Sequence, residues 1–334
     1  MNKRLHYIVY FRATSIVLIV AGHSFGLVWV QFNSILDYEF ANFLKGSTSL
    51  FVFVSGFMFD YIYNKKCSYK NFLHNRVSRI LFPYLAMTVV AQSVFWGWSL
   101  DENTIGQFSR NLFLGDTFQA YWYVPFILTT FLLSPVHKRY LDQKLPTQLL
   151  IFAALTLLAG VVHRPLGNDN VFQSVVFFTP IYLMGMLASS HRETLLPLLR
   201  KYSVLLVLAA IAMVTVQSLR GQTDNMQKAF FSINGFELMV IQKMLVSIAL
   251  LSCFSRLSGK PNFIVELVSE TSFAIFFIHP FVIMLMGKTD VFRITGAPWL
   301  DLVAAVSAII FICVAIALVS RLVLKKYSRY VVGY

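Results

Sequence analysis

Residues Tyr7–Val30 read YIVYFRATSIVLIVAGHSFGLVWV. The run is long enough to cross a bilayer as a helix, since about 20 apolar residues rising about 1.5 Å each span the roughly 30 Å hydrocarbon core. Inside it stand Arg12 and His23, eleven positions apart. Eleven steps of about 100° return a helix to within about 20° of its starting face, so both side chains point the same way, about 16 Å apart along the axis. An arginine at the centre of a membrane costs at least about 2.5–3.5 kcal/mol, so its default reading is functional and turned towards protein. The plain alternative is an Arg12 that snorkels to the surface and a His23 bonded to a backbone carbonyl.

Around this stretch the composition points the same way. Of 334 residues, 57% are hydrophobic and only 13% charged. A soluble domain carries about 25% charged residues, so the chain is expected to be an integral membrane protein. The net charge of +13 would suggest a nucleic-acid partner in a soluble chain. Here membrane topology accounts for it, and no nucleic acid is expected. Cys67, Cys253 and Cys313 are scattered and offer neither a metal-ligand spacing nor a disulfide framework, so no metal is expected. Arg12 interrupts the apolar run and no clean cleavage site follows, which argues against a removable signal peptide.

Apolar runs of spanning length fall at Tyr7–Val30, Phe43–Tyr63, Ile80–Leu100, Ala120–Pro135, Leu149–Val162, Val171–Ser189, Tyr202–Leu219, Phe236–Phe254, Glu266–Gly287 and Trp299–Leu324. The expected fold is therefore all-α, an integral membrane bundle of ten transmembrane helices. Lysine and arginine crowd into alternate connections, such as Lys65, Lys66, Lys70, Arg76 and Arg79, then Lys138, Arg139 and Lys144, and finally Arg321, Lys325, Lys326 and Arg329. By the positive-inside rule those connections and both termini are cytoplasmic. Lys243 falls within a span. The chain reads as one domain, residues 1–334, with no fused extracytoplasmic domain.

Four further stretches could carry chemistry. Arg76 and Arg79, three apart at a helix start, would form a clamp for phosphate, to which arginine offers a bidentate fork. The same cations would equally obey the positive-inside rule or hold lipid headgroups. In Leu50–Phe57, Ser55 and Gly56 suit close helix packing, and Ser55 also suits a hydrogen-bonding role. Trp122 and Tyr123 open the fourth run, where an aromatic belt is the bland reading. Ser272 and His279 share a helix face, and Pro280 is expected to break that helix locally and free carbonyls that need partners.

Together these pieces resemble integral-membrane acyltransferase family 3, whose members O-acylate cell-surface glycans. The matching elements are Phe-Arg-Ala followed by Gly-His (Arg12, His23), Leu-Phe-Val-Phe-Val-Ser-Gly-Phe (residues 50–57), Arg-x-x-Arg-Ile-x-x-Pro-Tyr (Arg76, Arg79, Pro83, Tyr84), Trp122-Tyr123 with Pro135, and Ser-Phe-x-Ile-x-x-Ile-His-Pro ending at Pro280. The resemblance implies a ten-helix bundle, and without targeting signals beyond the spans the plain expectation is a bacterial-type inner membrane protein. The resemblance also implies a cytoplasmic acyl-CoA donor, acetyl-CoA or another short acyl-CoA such as succinyl-CoA. The acceptor would be a hydroxyl of a surface polysaccharide, such as an exopolysaccharide or lipopolysaccharide, or of its lipid-linked precursor.

On that reading Arg12, Arg76 and Arg79 hold the donor's phosphates. His23 takes the proton from the acceptor hydroxyl, Arg12 shares the catalytic face, and a covalent acyl-histidine relay is the variant. Ser55 or Tyr123 supplies an oxyanion donor, with Trp122 and His279 in support. Arg12 and His23 are expected to line one common cavity opening to the cytosol. Expected partners are acyl-CoA, a surface glycan or lipid-linked saccharide, membrane lipid, and a polysaccharide-synthesis complex or a second copy of the chain. Two rivals stand beside this reading: a polytopic transporter or flippase, which also buries polar groups among its spans, and a scaffold without turnover.

Overall fold

Each of the ten apolar runs contains helix in the computed structural model, which describes residues 5–28, 30, 32–64, 68–97, 102–167, 169–223, 227–230, 232, 235–257, 259–289, 291–292 and 295–334. The sequence-stretch Lys65–Cys67, part of the basic connection, lies outside them, as do Lys3, Arg4 and Arg293. Among the described residues the only extended pairing is an isolated bridge between Arg164 and Gln227. By length and composition four helices among the described residues suffice to cross a membrane: Tyr69–Phe95, Leu145–Val162, Val171–Ser190 and Pro298–Val331. Two bent pairs raise the number to six.

The other runs are helical but shorter or interrupted. The first helix runs His6–His23 and stops where Ser24 turns its hydroxyl onto the Val20 carbonyl at 2.7 Å, after which Phe25–Val28 forms a separate turn. The second run is divided: Ile35–Leu44 ends before the positive-φ Gly46, and Thr48–Met58 continues into a π-turn, Phe59–Asn64. The third begins earlier than the apolar pattern, at Tyr69, where Ser68 accepts the Asn71 N–H. Arg76 and Arg79 are therefore carried on a helix two turns in.

The penultimate run bends by 75°, and the bend falls at Thr271 rather than at Pro280. Thr271 returns its hydroxyl to the Leu267 carbonyl at 2.7 Å as one helix ends and the next begins. Helix Ser272–Met286 passes through Pro280 without a break. His279 Nδ1 instead occupies the Ile275 carbonyl at 2.9 Å, so a side chain serves one of the acceptors near the proline.

Burial orders the helices. Val171–Ser190 is the central one, with 78% of its apolar window buried, against 28% for the peripheral Leu145–Val162. It crosses Thr48–Met58 with almost no space between backbones. A Cβ on Gly56 would stand 2.0 Å from the Tyr182 carbonyl oxygen, and one on Gly185 would stand 2.0 Å from that of Phe53. Small residues at a crossing allow this approach in apolar surroundings, so close packing is what Gly56 does. Lys243, buried on helix Met239–Ser255, donates to the Asn42 and Phe43 carbonyls at 2.9 Å each, holding the last turn of Ile35–Leu44. The outward face of Pro298–Leu324 presents Phe311 and Leu322 bare, the surface that a lipid solvent covers.

Candidate functional site

Five of the eight residues singled out from the sequence meet at one cavity of about 480 Å³: Arg12, Ser55, Arg76, Arg79 and Tyr123 all line it. Four helices deliver them. The His6–His23 helix gives Arg12, Thr48–Met58 gives Ser55, and Tyr69–Ala91 gives both Arg76 and Arg79. Tyr123 begins Tyr123–Leu132. Phe59, Phe72 and Phe131 form the apolar wall. Ser55 Oγ and Tyr123 OH stand 3.1 Å apart, so one donates to the other. Arg12 Nη2 donates to Ser272 Oγ at 2.8 Å, which fixes a half-buried guanidinium facing into the bundle. Snorkelling does not describe it.

None of the described residues lining this cavity is acidic. Cations gathered around a partly apolar cavity favour an anionic occupant, and arginine favours phosphate oxygens. Arg329 lines the same cavity, although its sequence position suggested only a cytoplasmic-side charge. Nothing periodic surrounds it that could have signalled this. Ser272 was legible as a residue sharing a face with His279, but its partner Arg12 lies 260 positions away.

His23 does not line the same cavity as Arg12. It lines a smaller one of about 50 Å³, with Trp122, Lys45, Gln119 and Arg164. The space between is filled by aromatic rings. Phe276, buried, packs against Tyr123 of the larger cavity at 5.4 Å between centroids and against His279 at 6.1 Å. His279 in turn faces His23 at 5.5 Å. The expected single cavity is thus two, one at each end of the first helix, divided by close-packed side chains.

Trp122 is buried. Phe178 stacks on it at 5.0 Å, and the Arg164 guanidinium lies 4.5 Å from its centroid. Such a cation–π contact contributes about 0.5–2 kcal/mol and makes Trp122 the support for Arg164. Among the described residues no group of three or more His, Cys, Asp or Glu side chains is placed to hold a metal ion.

A family model described as an acyltransferase domain, that of the acyltransferase 3 family, matches residues 5–318. The chain belongs to that family. No curated protein and no solved structure matches it significantly. Family and fold together define a membrane acyltransferase.

Proposed function

We propose that this chain moves a short acyl group, acetyl or another such as succinyl, from acyl-CoA to a hydroxyl of a surface polysaccharide or its lipid-linked precursor. In this reading it sits in a bacterial inner membrane with ten spans and both termini cytoplasmic. The observation that carries the proposal is the cavity that gathers Arg12, Arg76 and Arg79 with no acidic residue among the described ones that line it, at one end of the helix whose other end holds His23. The donor's phosphates would occupy the cationic cavity. Its slender pantetheine arm would lead the thioester along the first helix, past Phe276, towards His23.

The chemistry balances simply. The acceptor oxygen adds to the thioester carbonyl as His23 takes the hydroxyl proton. The tetrahedral oxyanion then collapses, the carbon–sulfur bond breaks, and the proton passes from His23 to the leaving thiolate. An ester and free CoA result. Ser55 and Tyr123, already hydrogen-bonded to each other, are hydroxyl donors on the wall of the cationic cavity.

The test replaces His23 by Ala in a strain lacking the native copy and reads surface glycans by mass spectrometry. Acylation should vanish while the protein stays in the membrane at the wild-type level. Retained acylation overturns the mechanism. With Arg76→Ala and Arg79→Ala together, the acyl-CoA concentration for half-maximal transfer should rise, and an unchanged requirement removes both from the donor site.

A further inference from the structure

We infer that Arg329, with Arg79, forms a subsite for a phosphomonoester at the rim of the cationic cavity: the phosphate on the ribose of a nucleotide thioester. This rests on the donor reading above and adds to it a part of the chain beyond residue 318, where the family match ends.

The long helix Pro298–Leu324 stops at Lys325, a non-glycine residue held at φ 51°. Such a conformation costs energy and persists only where surrounding contacts fix it. Here the chain folds back as a 3-10 turn, Lys325–Tyr327, and a helical turn, Ser328–Val331. Several contacts hold it there. Ser328 Oγ bonds the Tyr334 carbonyl, and Arg321 Nη1 donates to Tyr334 OH at 2.8 Å. Tyr330 meets Phe82 edge to face at 5.9 Å. Gly333, at φ 85°, lies so close to Phe273 and Phe277 that a Cβ there would touch both at 3.3–3.5 Å. The folded-back segment thus becomes a wall of the cavity, and Arg329, Gly333 and Tyr334 line it.

Depth sorts the four arginines. Arg12 and Arg76 are half-buried, whereas Arg79 and Arg329 are exposed. Arg329 Nε donates to the Lys326 carbonyl at 3.2 Å, an anchor that leaves both terminal nitrogens available. Among the described residues neither Arg79 nor Arg329 pairs with a carboxylate. In CoA the thioester is at one end, the pyrophosphate lies between, and the ribose phosphate is at the other. A donor whose thioester points inward leaves the pyrophosphate to the deeper pair and the ribose phosphate to the exposed pair, Arg79 and Arg329, which line the same cavity.

Equilibrium binding of acetyl-CoA and of acetyl-dephospho-CoA, which lacks only the ribose phosphate, to the full-length protein in phosphatidylcholine nanodiscs tests this. The wild type should prefer acetyl-CoA. Arg329→Gln should bind acetyl-CoA roughly three- to tenfold more weakly, with affinity for the dephospho form unchanged. Arg329→Lys should recover part of the preference. A wild type that binds neither nucleotide sinks the donor reading itself. A wild type that prefers acetyl-CoA beside an Arg329→Gln variant that keeps the full preference overturns the subsite alone. If that variant instead loses only co-purified anionic lipid, the pair is a headgroup site and the inference is wrong.

Discussion

His23 and His279 face each other from two helices, their ring centroids 5.5 Å apart and their planes tilted by 41°. The same helices meet again where Arg12 bonds Ser272, so they run side by side in the same direction. The partner of His279 Nδ1 is a carbonyl, so that nitrogen donates its proton and Nε2 keeps its lone pair. Nε2 is buried and has no hydrogen-bond partner among the described residues. A buried acceptor beside an imidazole is suited to orient it.

His279→Ala should therefore lower single-turnover acyl transfer by about tenfold or more, with acyl-CoA affinity unchanged. His279→Gln, which keeps a hydrogen-bonding group, should lose less. If both variants transfer at the wild-type rate, His279 is only a partner for its own helix.

The Gly56–Tyr182 and Gly185–Phe53 approaches predict a stability effect away from the chemistry. In each, the added methyl would meet a backbone carbonyl, which cannot swing aside as a side chain can. Overpacking of this kind costs about 1–3 kcal/mol and more when backbone must move. Gly56→Ala and Gly185→Ala should each lower the thermal midpoint in detergent, and the pair should not be additive, because one opened crossing relieves both. Wild-type melting of either single variant would mean that the crossing is looser than the structure has it.

Lys243 offers a second stability test. Its ammonium satisfies two carbonyls at the end of Ile35–Leu44, and the Gln242 amide donates to one of them, that of Asn42, at 2.8 Å. Lys243→Met keeps the volume but takes the ammonium from the Phe43 carbonyl and leaves that of Asn42 to Gln242 alone, at a cost of about 1–3 kcal/mol. Melting should fall by a corresponding few degrees while acyl-CoA binding to the surviving protein is unchanged. Loss of binding at full stability would instead make Lys243 part of the site.

What could be read from the sequence follows from periodicity. Helices repeat every 3.6 residues, so one helix reveals its own face: the alignment of Arg12 with His23, and of Ser272 with His279, was legible. The third helix's extra turns were not, because Tyr69–Arg79 is polar and owes its start to the Ser68 cap rather than to an apolar stripe. Nor was the bend at Thr271, since the helices on both sides of it, Phe263–Glu270 and Ser272–Met286, read as one largely apolar run and hydropathy carries no information on direction. Contacts between distant segments leave no periodic mark at all. Ser55 with Tyr123, and Arg329 with Arg79, come together only through packing. The assumption that two groups on one helix face share one cavity failed for a related reason: a third helix, carrying Phe276, fills the space between them.

The Phe276 ring stands between the two cavities. With Phe276 in place, the cationic cavity and the His23 cavity are separate, and a thioester reaching His23 must displace or skirt an aromatic side chain packed against both Tyr123 and His279. Such a partition would keep water on the acceptor side from the thioester until an acceptor is present. Phe276→Ala would open a cavity and cost about 3–5 kcal/mol, so the milder Phe276→Leu is the better variant. It should raise acetyl-CoA hydrolysis in the absence of glycan, measured as free thiol, several-fold over wild type, while glycan acylation falls or stays level. A double variant with His23→Ala should abolish the extra hydrolysis if water borrows the same base. Should Phe276→Leu leave hydrolysis at the wild-type level while the protein remains folded, the ring is ordinary packing and the barrier between the two cavities lies elsewhere.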